Sequence, residues 1–422
     1  MGLKPDVIVV GGGIWGASTA LHVVRSSPGI RVVVVDRAPA LAAETTGQAA
    51  GQIGQLRANP LMLRAVGYTL ELLGSFRERT GHDPGFVRAG SIHLALTADR
   101  MTALRAMAER VRPMGVAVEE VDGERARRLV PLLEPSALAG AVFLPGDAYV
   151  DAPRCARGYA AAAVDGGAEF RFGTEVTGIR VAGGRAVGID TADGPLDAGS
   201  VVVTGGPWTG LLFAPLGFPV PVVPIRLQQM RTKPDPNLPA HHPVVRIPDA
   251  SCYLRPEHGG YLYGYIDPHP LAVDVAGGGR TIRTADIAVD EPLMAEARRR
   301  LAAVFPTLAD FGVDQYRQGM VTCTPDANYA LGPVPGVARL YLASGCSAMG
   351  IAGSAAVGSW RAECVIQGRP PAEIAGLDPA RFGPRAADRA WLVERAREVY
   401  ASYYSLSSRG ATYGCATTPS ST

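Results

Sequence analysis

Apolar residues in this chain gather into short unbroken runs, and several runs stop abruptly at glycine or at an acid. Asp6–Val10 reads as a buried strand, Gly11–Gly16 as a turn and Ala17–Arg25 as a helix. Arg31–Val35 is a second strand that ends at Asp36, which completes a compact β-α-β unit. Val201–Val203 and Leu340–Ala343 repeat the pattern far along the chain, each followed by glycine. Apolar spacings of three and four predict helices over Leu61–Arg79, Ala98–Val111, Cys155–Asp165, Met294–Val304 and Ala387–Tyr404. Strict alternation at Ser91–Leu96 predicts a strand, and Glu175–Val181 with Ala186–Thr191 predicts a hairpin turning at Gly183-Gly184. Residues 215–270 are rich in proline and in short β-like runs, and Ser405–Thr422 is a polar tail.

The pattern is α/β at both ends with a β-rich middle. Ligands of open α/β sheets sit at the carboxyl ends of strands, so four runs ending in glycine or acid point to one sheet built from distant segments. The expected organisation is a discontinuous Rossmann-type domain over 1–80, 141–214 and 319–375. A second, α+β domain with an antiparallel sheet is inserted over 81–140 and 215–318, and 376–422 is a C-terminal helix and tail.

Charge narrows the function. The formal net charge is +2, so no electrostatic footprint for nucleic acid exists. No run of about 18 apolar residues is present, so no membrane span is expected. The six cysteines form no C-x-x-C pair and the seven histidines no H-x-x-H spacing, which argues against a metal and for a cytoplasmic protein.

Gly11-Gly12-Gly13-Ile14-Trp15-Gly16 fits G-x-G-x-x-G between a strand and a helix. Gly11 permits the tight turn, Gly13 lets backbone approach a pyrophosphate, and Gly16 lets helix and strand pack closely. Ile14 and Trp15 open the helix whose N-terminal amides favour phosphate. Asp36, with Arg37 beside it, stands where an acid accepts from ribose hydroxyls.

Three further patches join this fingerprint: Thr45-Thr46-Gly47-Gln48-Ala49-Ala50-Gly51, Val201–Trp208, and Gly319 through Thr324-Pro325-Asp326 to Gly350. Together they resemble the D-amino-acid-oxidase superfamily, and most closely the flavin half of dimethylglycine and sarcosine dehydrogenases. Asp378–Phe382 and Glu394–Tyr404 also look like the end of that half. The resemblance implies FAD, with Thr45, Thr46, Gln48, Ala50, Gly51, Val176, Gly205, Trp208, Gly345, Met349, Gly350 and Ile351 along it. Gly345 and Gly350 flank a strand-to-helix turn whose amides would face the flavin's N1 and C2 carbonyl side.

The departures are specific. Gln48 stands where dimethylglycine-type enzymes carry a histidine bonded to the flavin, and Gly319 where monomeric sarcosine oxidase carries a cysteine. The FAD is therefore expected to be non-covalent. Val321 replaces the arginine with which glycine oxidase grips a carboxylate, so glycine is expected to be a poor substrate. The folate-binding half of the dimethylglycine enzymes has no counterpart in these 422 residues, so turnover is expected to be independent of folate.

For the substrate, Cys252–Glu257 and Gly260–Gly264 read as paired strands over the flavin. Tyr253, Arg255 and Tyr263 are candidate pocket residues, with Met349 and Arg57, and Arg226 is a further candidate cation. The leading reaction is hydride removal from the carbon next to nitrogen of a small amine or N-substituted amino acid, giving an imine that hydrolyses. Oxygen or a carrier protein would accept the electrons. Oxidation of a 2-hydroxy acid wants a histidine base, and only His93, His258 and His269 are remotely placed for it. A flavin-carrying subunit of a larger complex is the third reading.

Overall fold

A computed structural model describes residues 4–278 and 281–405. The polar tail expected after Ser405 lies outside the described residues. The four runs do form one sheet. Its strands, in spatial order, are Ala330–Pro333, Leu340–Ser344, Ser200–Val203, Val7–Val10, Val32–Val35 and Glu169–Arg171. Val7 pairs with Val32 on one side and with Ser200 on the other, both parallel. The strands over Val7–Val10, Val32–Val35 and Ser200–Val203 are buried throughout, because helices cover one face of the sheet and the strands over Val176–Ala182 and Arg185–Thr191 pack on the other.

Helix Ile14–Ser26 packs between helices Ala152–Asp165 and Ser354–Gln367. The approach of the last is close: a Cβ on Gly358 would lie 2.2 Å from Ser18 Oγ. That contact ties two segments more than 300 residues apart to one face of the sheet.

The middle of the chain builds an eight-stranded sheet. Its order is Val313–Cys323, Val223–Thr232, Gly260–Tyr265, Cys252–Glu257, Val244–Ile247, Ser91–Ala95, Gly140–Leu144 and Glu119–Val121. All its pairings are antiparallel except Val244–Ile247 with Ser91–Ala95. Two of its strands cross the boundaries expected from sequence. Gly140–Leu144 belongs to this sheet, and so does the 319–323 end of the long Val313–Cys323 strand. An apolar run announces a strand but not the sheet it joins.

Local signals fixed several ends. Helix Ala98–Val111 starts after Thr97, whose side chain accepts from Arg100 N–H. The expected Leu61–Arg79 helix is two pieces, Pro60–Gly74 and Phe76–Thr80, broken at Ser75. The first begins at Asn59, whose side chain accepts from the Leu61 and Met62 amides, with Pro60 at the first position. The last helix is Arg389–Ala401, shorter than expected because Asp388 caps it and Ser402 ends it. Tyr403 and Tyr404 then turn inward and are buried. The hairpin gains a third strand, Gly194–Asp197. No helix among the described residues is long and apolar enough to cross a membrane.

Candidate functional site: one cavity from a glycine cradle to an arginine pair

The glycine-rich turn begins a long cavity. Gly11 has φ +110°, and a Cβ there would come within 2.6 Å of the Thr204 carbonyl oxygen. A Cβ on Gly16 would sit 1.8 Å from Gly11 O, so this glycine serves helix–strand packing and does not line the cavity. Gly13 has φ −74°, and the nearest atom to its Cβ would be Thr46 Oγ1 at 3.2 Å. Its open side faces the cavity.

Asp36 closes the turn from the second strand. Its carboxylate accepts from Gly12 N–H at 2.5 Å and Ala38 N–H at 2.7 Å, and burial raises its pKa against those bonds. Arg37 lies 4.3 Å over the Trp208 ring. Thr46 Oγ1 accepts from Ile14 N–H at 3.1 Å, which binds the Thr45–Gln48 turn to the start of the helix.

The opposite wall comes from the Leu340–Ser344 strand and the turn after it. Trp15 Nε1 donates to Gly350 O at 2.8 Å, so the two glycine-bearing turns are locked together. Ser347 and Ala348 both hold positive φ, 43° and 63°, within this turn. Such backbone costs about 1–3 kcal/mol per residue and persists only where its surroundings enforce it. Here Ser347 N–H donates to Thr322 O, and Met349 N–H to Cys346 O.

The cavity is lined by Gly11, Gly13, Ile14, Trp15, Asp36, Arg37, Thr45, Thr46, Ala50, Gly51, Val176, Gly205, Trp208, Gly350 and Ile351, among others. Gly16, Gln48, Gly345 and Met349 stand behind that surface. Gly345 is a packing turn, since its Cβ would meet Thr324 Cγ2 at 2.5 Å. Met349 is buried and uses its carbonyl to accept from the Tyr329 hydroxyl. Gln48 accepts at its carbonyl from Gln229 Nε2.

Past Val321 and Cys346, the cavity ends among Arg57, Arg246, Tyr253, Ile266 and Tyr403. Arg57 donates to Gly54 O at 3.1 Å and to Tyr403 Oη at 3.1 Å. Arg246 donates to Tyr404 Oη at 3.2 Å. Behind them Asp147 accepts from Ser91 Oγ at 2.5 Å and from Gln55 N–H at 2.9 Å. Burial pushes the Asp147 carboxyl up to about 6, against the pull of Arg246 and Arg57. His93 is buried beside them, and burial together with both arginines holds it neutral, well below the usual imidazole range. Burial also raises the Tyr403 phenol, but Arg57 and Arg246 outweigh it and bring it down to about 8. This end of the cavity carries net positive charge.

Sequence reasoning placed Arg57 and Tyr253 here, and both line the cavity. It also named Arg255 and Tyr263, which the fold turns elsewhere. Arg255 is buried against Ala50 O and Glu257 and stacks on Tyr149. Tyr263 lies in the core of the large sheet, with its hydroxyl on Met230 Sδ. Alternation turns Tyr263 to the face opposite Tyr253, whereas Arg255 shares the face of Tyr253 and is held away from the cavity by Ala50 O and Glu257. Arg226 is held by Asp290 and Asp267. Arg246 and Tyr403 were missed. A signal for Arg246 existed in the lone arginine of the buried strand Val244–Ile247, because a buried charge needs a partner or a task. Tyr403 carried none.

The cavity fits a flavin nucleotide by observations of its own. A glycine cradle faces it at one end, and Trp208 Nε1, Ser344 Oγ and Gln52 Nε2 are buried cavity-lining groups without a hydrogen-bond partner. Buried polar groups are rarely left so, and a ligand rich in acceptors and donors satisfies them.

Comparison with known proteins agrees. The chain is 29% identical to 4-methylaminobutanoate oxidase (formaldehyde-forming) of Paenarthrobacter nicotinovorans, over 94% of this chain and 48% of that protein. It is 28% identical to the mitochondrial pyruvate dehydrogenase phosphatase regulatory subunit of Mus musculus, over 96% and 46%. It is 26% identical to mitochondrial dimethylglycine dehydrogenase of Homo sapiens, over 94% and 46%. It thus spans about half the length of these relatives. The crystal structure of glycine oxidase from Geobacillus kaustophilus superposes with a TM-score of 0.77 at 26% identity, covering 90% of this chain and 99% of that one. Residues 367–410 match the FAD dependent oxidoreductase central domain. Residues 6–364 match the FAD dependent oxidoreductase model, and the chain belongs to that family.

Proposed function

We propose that this chain oxidises small amines that bear a carboxylate, N-substituted amino acids foremost, by removing a hydride from the carbon next to nitrogen. The observation that carries the reading is the arginine pair. Arg57 and Arg246 stand at one end of a cavity whose other end is the dinucleotide cradle. A guanidinium grips a carboxylate through charge-assisted hydrogen bonds. The compounds named for three relatives, 4-methylaminobutanoate, dimethylglycine and glycine, each hold an amine and a carboxylate.

The residues fit FAD as follows. Gly11, Gly13 and Thr46 would border the pyrophosphate, Asp36 the ribose, Arg37 and Trp208 the adenine side, and Gly350 and Ile351 the ring system. When bound, FAD supplies the hydride acceptor. The chain supplies orientation and dryness. Arg57 and Arg246 anchor the carboxylate, Val321 and Ile266 pack the carbon chain, and Tyr253 and Tyr403 close the end. A neutral amine needs no strong base to lose a hydride, and His93 is held neutral among the arginines. The imine then hydrolyses in water.

Val321 lines the cavity, yet its lack of charge does not strip the site of cations, since Arg57 and Arg246 supply two. Two guanidinium groups remain for a glycine carboxylate, so the lack of charge at Val321 gives no discrimination against glycine. The flavin is held without a covalent bond. Gln48 and Gly319 stand together behind the cavity wall, a Cβ on Gly319 lying 3.7 Å from Gln48 Cβ, and neither can form the bond. Oxygen or a carrier protein re-oxidises the flavin. The five described cysteines are free thiols, which suits the cytoplasm.

The likeness to a regulatory subunit favours a second reading, a flavin-bearing partner of another enzyme. One experiment separates the two. The yellow protein is titrated anaerobically with N-methyl amino acids, amines without a carboxylate, and 2-hydroxy acids. Bleaching by the first group alone supports amine oxidation. Bleaching by hydroxy acids alone, or by nothing, overturns it.

A further inference from the structure

The substrate end of the cavity is closed by a residue from the far end of the chain. Helix Arg389–Ala401 stops at Ser402, and the next two residues turn into the core. The Tyr403 and Tyr404 rings meet edge to face with centroids 5.0 Å apart. Each phenol oxygen accepts from one arginine of the pair, Tyr403 from Arg57 at 3.1 Å and Tyr404 from Arg246 at 3.2 Å. Of the two tyrosines, Tyr403 lines the cavity. It belongs to the second family match, outside the residues that build the cradle.

We propose that Tyr403 is a specificity-determining residue: its phenol oxygen and the carboxylate of an incoming substrate share the Arg57–Arg246 pair, so carboxylates bind only while that phenol keeps its proton. As a neutral phenol, Tyr403 can turn its O–H towards the carboxylate and add a third donor to the two guanidinium groups. As a phenolate it becomes the anion that the pair already holds, and a second anion is repelled. The amine-oxidation reading enters only through the carboxylate.

The other groups facing Tyr403 do not titrate in the same range. Burial raises Tyr253 and Tyr329 on the neighbouring elements, and Tyr404 is raised too. Asp147 changes charge near 6 and His93 stays neutral, both on the arginines' far side. Cys346 also lines the cavity and needs its own control.

The test uses methoxyacetate, which has the shape of N-methylglycine but no amine to titrate or oxidise. Its affinity for the FAD-loaded protein is measured by calorimetry from pH 6.5 to 9.5. In the wild type, affinity should be level to near pH 8 and then fall towards tenfold per pH unit. Tyr403→Phe keeps the ring but loses the O–H donor, so it should bind more weakly than the wild type below pH 8 and show no fall up to pH 9.5. Tyr404→Phe and Cys346→Ala should keep the fall. A wild-type profile level to pH 9.5, or a fall that survives in Tyr403→Phe, overturns the proposal. Binding of methoxyacetate with the expected profile in a protein whose flavin no amine reduces would uphold it while removing the amine-oxidation reading.

Discussion

Gly13 separates cofactor binding from folding. A valine at Gly11 or Gly16 would strike backbone, at 2.6 Å from Thr204 O and 1.8 Å from Gly11 O, and the fold itself would suffer. At Gly13 the backbone is in an ordinary region, φ −74°, and its Cβ meets only the Thr46 hydroxyl, at 3.2 Å. Gly13→Val should therefore fold, with its isopropyl group in the space that the pyrophosphate needs. A ligand at a thousand times its Kd stabilises the folded state by about 4.1 kcal/mol. Unfolding entropy of about 2.1 cal/mol/K per residue gives roughly 0.9 kcal/mol/K for 422 residues. Loss of FAD should then lower Tm by about 5 °C. The assay is Tm of the wild type with and without FAD, beside the variant under both conditions. The variant should match the FAD-free wild type and ignore added FAD. A folded Gly13→Val protein that purifies with stoichiometric FAD would refute the placement of the pyrophosphate.

Acid precipitation should release the flavin into the supernatant, because neither Gln48 nor Gly319 can bond to it; yellow precipitate would contradict this. Arg246→Gln should raise KM for carboxylated amines about 10- to 150-fold, the equivalent of one charged hydrogen bond at about 1.5–3 kcal/mol, with kcat little changed. Amines without a carboxylate should show no such rise, and equal losses for both classes would sink the assignment. His22 is buried between Ser18 O and Tyr68 Oη, and burial lowers its pKa to about 4. Its folded pKa lies below its unfolded one, so its contribution is present above pH 6.5 and lost as pH falls towards 4, amounting to about 3 kcal/mol. Urea titrations should show His22→Gln losing less stability than the wild type across that window.

The sequence alone determined the cradle. A run of valines, three spaced glycines and an acid at the end of the next strand are local features whose chemistry does not depend on what surrounds them. The same holds for Thr97, Asn59 and Asp388, which start helices through their own side chains. The tertiary structure decided the substrate end. Arg57 comes from a loop, Arg246 from a central strand and Tyr403 from the last turn, so no spacing in sequence relates them. Arg255 and Arg246 look alike in sequence, each within a short β-like run. One is consumed by Glu257 and Ala50 O, while the other faces the cavity. Both face the same side of the sheet, since Arg246 pairs with Tyr253 and Arg255 lies two residues further along that strand. Tertiary neighbours make the choice, because Ala50 O and Glu257 meet Arg255 at its place on the sheet. The charge of the site is likewise collective. Tyr403 reaches its low pKa only because two guanidinium groups from distant segments are folded against it.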